Sequence, residues 1–153
     1  MYGANYNAWS VIAGETPTAT KWNYLGTNDA QFDTDIEDLF QGKRGIVELT
    51  DGATVNIDGN SNYNIFELIL GGDRSLTISN MIAGQAILLR LIQDGTGSRS
   101  ISSWFSGDTV KWPGGSEPSL STAAGEIDSF LIICTDTDTY EIYFAGFGMK
   151  ASS

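Results

Sequence analysis

The chain has 153 residues, room for one ordinary domain and not for two full ones. Its 19 acidic side chains outnumber its 8 basic ones, a formal charge of -11. That balance argues against binding nucleic acid, where Lys and Arg must neutralise phosphate, and against docking on an anionic membrane.

The first residues, Met1–Ala8, show neither the basic start nor the apolar stretch of a signal peptide. No apolar run approaches the roughly 20 residues that span a bilayer. The only cysteine, Cys134, cannot form an internal disulfide. It lies in the apolar run Phe130–Thr135, so a buried small hydrophobe is favoured over a reactive thiol. The 18 glycines, with abundant Ser, Thr, Asn and Asp, point to many short strands joined by turns. The 41% hydrophobic and 11% aromatic content argues against a disordered polar chain.

Residues 1–17 read as an extended arm. Tyr2, Tyr6 and Trp9 have no periodic context in which to bury each other. They pack on the following domain or anchor the chain in another protein, a role large aromatics suit. Thr18 can cap a short helix, Ala19 to Leu25, that stops at Gly26. Thr27 or Asn28 can cap a second helix running to about Phe40 and ended by Gly42. Phe32, Ile36, Leu39 and Phe40 would share one face of it. Residues 1–44 thus form an attachment segment of arm and helices. Residues 45–148 form a β module, and residues 149–153 a short tail.

From Ile46 onward strand signals recur between turn residues. The runs are Ile46–Thr50, Thr54–Ile57, Asn64–Leu70, Leu76–Ile78, Ala86–Ile92, Ser98–Ser102, Thr109–Trp112, Glu126–Thr135 and Thr139–Ala145. The last two read as a hairpin across Asp136–Asp138. About nine short strands at such spacing predict a mainly β fold, an antiparallel β-sandwich or jelly-roll-like module. No fixed-period repeat signals a solenoid. The expected core is Ile65, Phe66, Leu68, Leu70, Leu76, Ile78, Ile87, Leu89, Leu91, Ile101, Leu131, Ile133, Ile142 and Phe144. Ala86–Ile92 is apolar on both faces, so a helix or a second copy should cover its outer side.

The absence of histidine excludes Ser-His-Asp and Cys-His catalysis and every His-containing zinc site. Gly95–Arg99 is glycine-rich but lacks the Lys of a phosphate loop; a hairpin turn explains it. Asp33–Asp38 resembles half a calcium loop, yet Arg44 stands where the closing Glu belongs. Asp136, Asp138 and Glu141 read as a polar hairpin tip before a loose calcium site. With 19 acids, a carboxylate pair for glycosidase chemistry has almost no specificity. The chain reads as non-enzymatic, with no cofactor and no metal. Tyr63, Trp104, Phe105 and Trp112 are possible glycan contacts, because sugars stack on aromatic rings. The competing reading has Trp104 and Trp112 plugging the ends of the β module.

Two stretches resemble bacteriophage virion structural proteins. Val11–Asn23, leading into Leu25–Asp29, is similar to the segment that precedes many phage fibre and decoration modules. Arg90–Arg99, Trp112–Pro118 and Leu120–Thr122 resemble a β-rich module of tail fibres, head fibres and minor capsid proteins. The resemblance implies a virion component, made in the host bacterial cytoplasm, as a homotrimer with no catalytic residues. The short length favours a capsid decoration, or cement, protein bound to the major capsid protein or another virion protein. A tail-fibre or receptor-binding module recognising host glycan is the alternative. Tyr2, Tyr6, Trp9, Trp22, Tyr24 and Leu25 would then be the attachment contacts.

Overall fold

The computed structural model describes residues 45–151, within the unit Lys43–Ser153. The arm and the two expected helices lie outside the described residues. All nine expected strands are present, with ends shifted by a few residues. They are β1 (Ile46–Glu48), β2 (Thr54–Asp58), β3 (Ile65–Leu70), β4 (Arg74–Ser79), β5 (Ala86–Gln93), β6 (Ile101–Trp104), β7 (Thr109–Lys111), β8 (Ile127–Asp136) and β9 (Thr139–Met149). Gly and Asx turns bound them, as at Gly71–Gly72 and Asp94–Gly95.

The pairing differs from the antiparallel expectation. A six-stranded sheet has the order β1-β3-β5-β8-β9-β7, and a three-stranded sheet the order β2-β4-β6. β1, β3 and β5 run parallel in the first; β2, β4 and β6 run parallel in the second. Only β5–β8 and β8–β9 are antiparallel, and β7 joins β9 in parallel. From β1 to β6 the chain therefore passes back and forth between the sheets, laying each strand beside the one two before it. A parallel neighbour cannot be reached by a tight hairpin, so each return runs through the other sheet. The returns are unequal: Ile46 lies beside Ile65, Ile65 beside Leu88, and Arg74 beside Ile101. That inequality is why coiled, parallel stacking leaves no fixed period in the sequence.

Both sheets feed one core. Val55 and Ile57 of β2, Leu76 of β4 and Ile101 and Trp104 of β6 join Phe66, Leu68 and Leu70 of β3. Ile87, Leu89 and Leu91 of β5, Phe130 and Ile132 of β8 and Ile142 of β9 complete it. The alternation of buried and open positions in β2, β3 and β5 follows the period-2 rule.

In β8 the expected face is reversed. Phe130, Ile132 and Cys134 point inward, while Leu131 is 37% exposed and Ile133 half-buried. The run Phe130–Cys134 is apolar throughout, so its period carries no information about which side is inside. A polar residue decides it. Asp128 sits opposite Leu91, on the core side, and is 2% exposed. Its carboxylate accepts hydrogen bonds from the Ser121 amide (2.7 Å), the Ser121 hydroxyl (2.7 Å) and the Gly148 amide (2.9 Å). A buried carboxylate with three donors is tolerated, and shifting it by one residue would orphan all three. Phe144, expected in the core, is 41% exposed. The β8–β9 register slips between Ser129 and Phe130, and beyond that bulge Phe144 pairs with Phe130 at the edge of the covered region. Ile65 and Ile78, also expected inside, are half-buried.

The segment after β5 is pinned by polar contacts. The Gln93 side chain, 3% exposed, donates to the Arg99 carbonyl and accepts from the Arg99 amide, at 2.9 and 2.8 Å. Asp94 accepts from the Thr96 and Gly97 amides and pairs with the Arg99 guanidinium at 2.8 Å. Gly97 has φ 72, and a Cβ there would lie 2.4 Å from the Thr122 carbonyl oxygen, so only glycine fits. Asp51 and Arg74 form a two-pronged pair at 2.7 and 2.5 Å, tying the β1–β2 turn to β4.

These pairs predict a pH dependence. The Arg99 hydrogen bonds, helped by the Gly97 and Thr96 amides, hold the Asp94 carboxyl down to about 2. Arg74 lowers Asp51, and Ser100 lowers Asp73. A depressed folded pKa stabilises the fold above the unfolded value and loses that contribution as the pH falls through the folded value. Melting temperature should fall as the pH drops from about 4 toward 2, and Asp94→Asn should flatten that slope. Thermal melts monitored by circular dichroism across this range check it; equal slopes in the two proteins would refute the assignment.

Candidate functional site

Of the aromatic residues singled out in the sequence, three lie close together. Trp104 and Phe105 are 8% and 1% exposed, while Trp112 is half-buried. Trp104 stands edge-on to Phe105, Trp112 and Phe130, with ring centroids 6.1, 5.1 and 5.0 Å away. Phe144 stacks on Trp112 and meets Phe147 edge-on, and Phe147 closes back on Phe130. Such edge-to-face pairs add to the stabilisation from burial. The Trp104 Nε1 is the only buried side-chain polar atom without a hydrogen-bond partner among the described residues.

Consecutive Trp104 and Phe105 both turn inward because Phe105 leaves the strand geometry. Its φ is 49, a left-handed conformation uncommon for a bulky residue. Its amide donates to the Leu76 carbonyl at 2.9 Å, and its ring packs edge-on to Tyr140. Burial of the ring offsets the backbone cost. A sugar cannot stack on a ring with 1% exposure, so Phe105 is corrected from a glycan contact to a core residue, and Trp104 with it. Tyr63, 42% exposed, is apart from the ring cluster; its ring covers Gly45. The attachment residues Tyr2, Tyr6, Trp9, Trp22, Tyr24 and Leu25 lie outside the described residues.

Trp112 borders a cavity of about 300 Å³ lined also by Lys111, Pro113, Glu141 and Tyr143. Glu141 accepts from the Tyr143 hydroxyl at 2.8 Å and pairs with Lys111 at 3.5 Å. That hydrogen bond raises the Tyr143 pKa. A second cavity of about 280 Å³ lies between Ser98–Ile101 and Glu117–Leu120, with Trp104 in its wall. Both sit at the lower end of small-molecule pockets, roughly 300 Å³ and above. Among the described residues, no three His, Cys, Asp or Glu side chains are grouped to hold a metal. The Cys134 thiol is 1% exposed and donates to the Asp136 carbonyl at 3.3 Å. Burial raises its pKa, which keeps it protonated and unreactive.

A further distinctive surface is the outward face of the six-stranded sheet. Residues opposite one another on paired strands share a face. One row is Ile46, Ile65, Leu88, Leu131 and Tyr143. The next is Glu48, Glu67, Arg90 and Ser129, and Glu67 pairs with Arg90. Ile69, Ile92, Ile127 and Met149 form a third. Of the nine exposed large hydrophobics among the described residues, five lie here: Ile46, Ile69, Leu131, Tyr143 and Met149. The sequence showed that β5 is apolar on both sides; only the register shows that its neighbours extend the same rows. This face can bury apolar surface against a partner; it offers no grouped reactive side chains.

No protein-family model, curated protein or solved structure matches the chain.

The ring cluster predicts unequal roles for its two tryptophans. Trp104→Ala should cost about 3–5 kcal/mol, as expected for a buried aromatic. Trp112→Ala, at the half-buried rim, should cost about 1–2 kcal/mol. Urea denaturation of both variants checks this, and equal losses would show that Trp104 is not the centre of the cluster.

Proposed function

We propose that this chain is a non-enzymatic bacteriophage virion protein, a capsid decoration protein that binds the assembled head as a homotrimer. The observation that carries an assembly role is the outward face of the six-stranded sheet, where apolar rows cross four and five strands. Isolated exposed hydrophobics need no explanation, but contiguous rows mark an interaction surface. We read the two sheets with their shared core as a sandwich-like body that projects from the shell. The virion setting comes from the resemblance of Val11–Asn23 and of the Arg90–Arg99 and Trp112–Pro118 stretches to phage structural proteins. Residues 1–44, with Tyr2, Tyr6, Trp9, Trp22, Tyr24 and Leu25, would attach the protein to the major capsid protein. Binding the assembled lattice and not its free subunits would stabilise the shell by mass action. The acidic balance of the chain suits a basic capsid surface.

A second reading, a receptor-binding module for host glycan, is favoured by the half-buried Trp112 and the exposed Phe144 and Phe147 beside the Glu141–Lys111 cavity. It would lose binding on Trp112→Ala. Trp104→Ala would act there only through stability.

The two readings separate in a sedimentation experiment. Full-length protein should pellet with purified capsids that lack it, and protein lacking residues 1–17 should bind at least about tenfold more weakly, the loss of a modest anchor. Unchanged affinity of the truncated protein would overturn the arm assignment. Absence of capsid binding, with binding to host glycan on an array, would replace decoration by receptor recognition.

A further inference from the structure

The outward face of the six-stranded sheet has a pattern that restricts what can cover it. It consists of two apolar rows flanking a row in which Glu67 and Arg90 neutralise each other. At its far border Lys111 and Glu141 pair in the same way. The face thus carries Glu48, Glu67 and Glu141 against Arg90 and Lys111, whereas the chain as a whole carries -11.

We propose that this face is the self-association surface, packed against the same face of another copy of the chain. The inference rests only on self-association, not on the virion setting; a like-face contact is two-fold, so it gives a dimer in place of the trimer proposed above. Two copies of so acidic a chain repel over most of their surface. They can approach closely only where charge is low and already paired. A cationic partner would gain little here and would be drawn to the acidic surface elsewhere. Like faces, by contrast, match row for row. Apolar rows meet apolar rows, and one Glu67–Arg90 pair can lie across the Arg90–Glu67 pair of the other copy. The ion pair enters the contact already satisfied, so its burial leaves no orphan charge.

The size also fits. Five strands about 4.8 Å apart, with rows about 6.8 Å apart along them, give a flat footprint of roughly 500 Å² before side-chain relief is counted. A stable interface buries about 800 Å² of accessible surface per partner, which this relief brings within reach. Parallel sheets are normally covered on both faces, and among the described residues the inward side alone is covered, by β2, β4 and β6.

The test is the mass of the full chain in solution, by size-exclusion chromatography with light scattering. Wild type should run at twice the chain mass. Leu131→Glu and Ile69→Glu, at positions 37% and 57% exposed, should each run as monomers with unchanged far-UV circular dichroism. Ile82→Glu, 71% exposed and outside the sheet, should keep the wild-type mass. A monomeric or trimeric wild type overturns the inference, and a trimer would instead favour the three-fold arrangement proposed above. An oligomer that survives both face variants overturns it as well. If wild type is monomeric and these strands still resist hydrogen exchange, another part of the chain covers the face instead of a second copy. The measurement uses isolated protein, so failure of capsid binding leaves its outcome untouched, and its failure leaves capsid binding open.

Discussion

Phe66 lies directly beside Leu89, and Leu68 beside Leu91, across the parallel pair β3–β5, all at most 1% exposed. The rest of the module depends on that stacked apolar ladder. Strands that run parallel must be joined by a return path, and a return path needs hydrogen-bonding partners of its own. Here the returns become β2, β4 and β6, which pair with one another and place Val55, Ile57, Leu76 and Ile101 over the ladder. One requirement, parallel stacking, therefore produces both the central strands and their cover. Replacing any of these core side chains by alanine removes contacts that no neighbour can restore, at a typical cost of about 2–5 kcal/mol.

Polar groups set where this ladder stops and turns. At the end of β5 the Gln93 side chain copies a backbone pairing with Arg99 and so begins the long excursion toward β6. At the start of β8 the Asp128 carboxylate collects Ser121 and Gly148 and fixes the chain's re-entry beside β5. Buried polar groups of this kind add modest net stability, but they penalise every alternative register heavily. They explain why a strand as uniformly apolar as β8 has a single orientation.

The same ladder has a consequence on the other side of the sheet. Strands that read as nearly continuous apolar runs suit a sheet covered on both faces. β3, β5 and β8 are such runs, and their outward residues line up into rows because parallel and antiparallel neighbours are held in register. Such a surface is what the proposed self-association would cover. By comparison, two of the four aromatic residues singled out among the described residues, Trp104 and Phe105, are absorbed by the core. Trp104 and Phe105 stabilise the module from inside, and only Trp112, Phe144 and Phe147 reach its rim.

Local chemistry was sufficient to locate the nine strands. Turn residues such as Asp51–Gly52, Gly71–Gly72 and Asp136–Asp138 punctuate the chain, and β-branched and aromatic runs fill the intervals. The inward faces of β3 and β5 were legible for the same reason: alternation there is clean. Pairing direction was not legible, because a period of two says which side of a strand is wet and nothing about which strand lies beside it or which way it runs. The unequal returns hid the parallel stacking, and the apolar run in β8 hid its inner face until Asp128 found its donors. The inward turn of Phe105 depends on a left-handed backbone stabilised by a contact with Tyr140 far along the chain. Composition and local pattern thus determine where the chain extends and turns; long-range packing decides neighbours, register and which apolar rows remain on the outer face of the sheet.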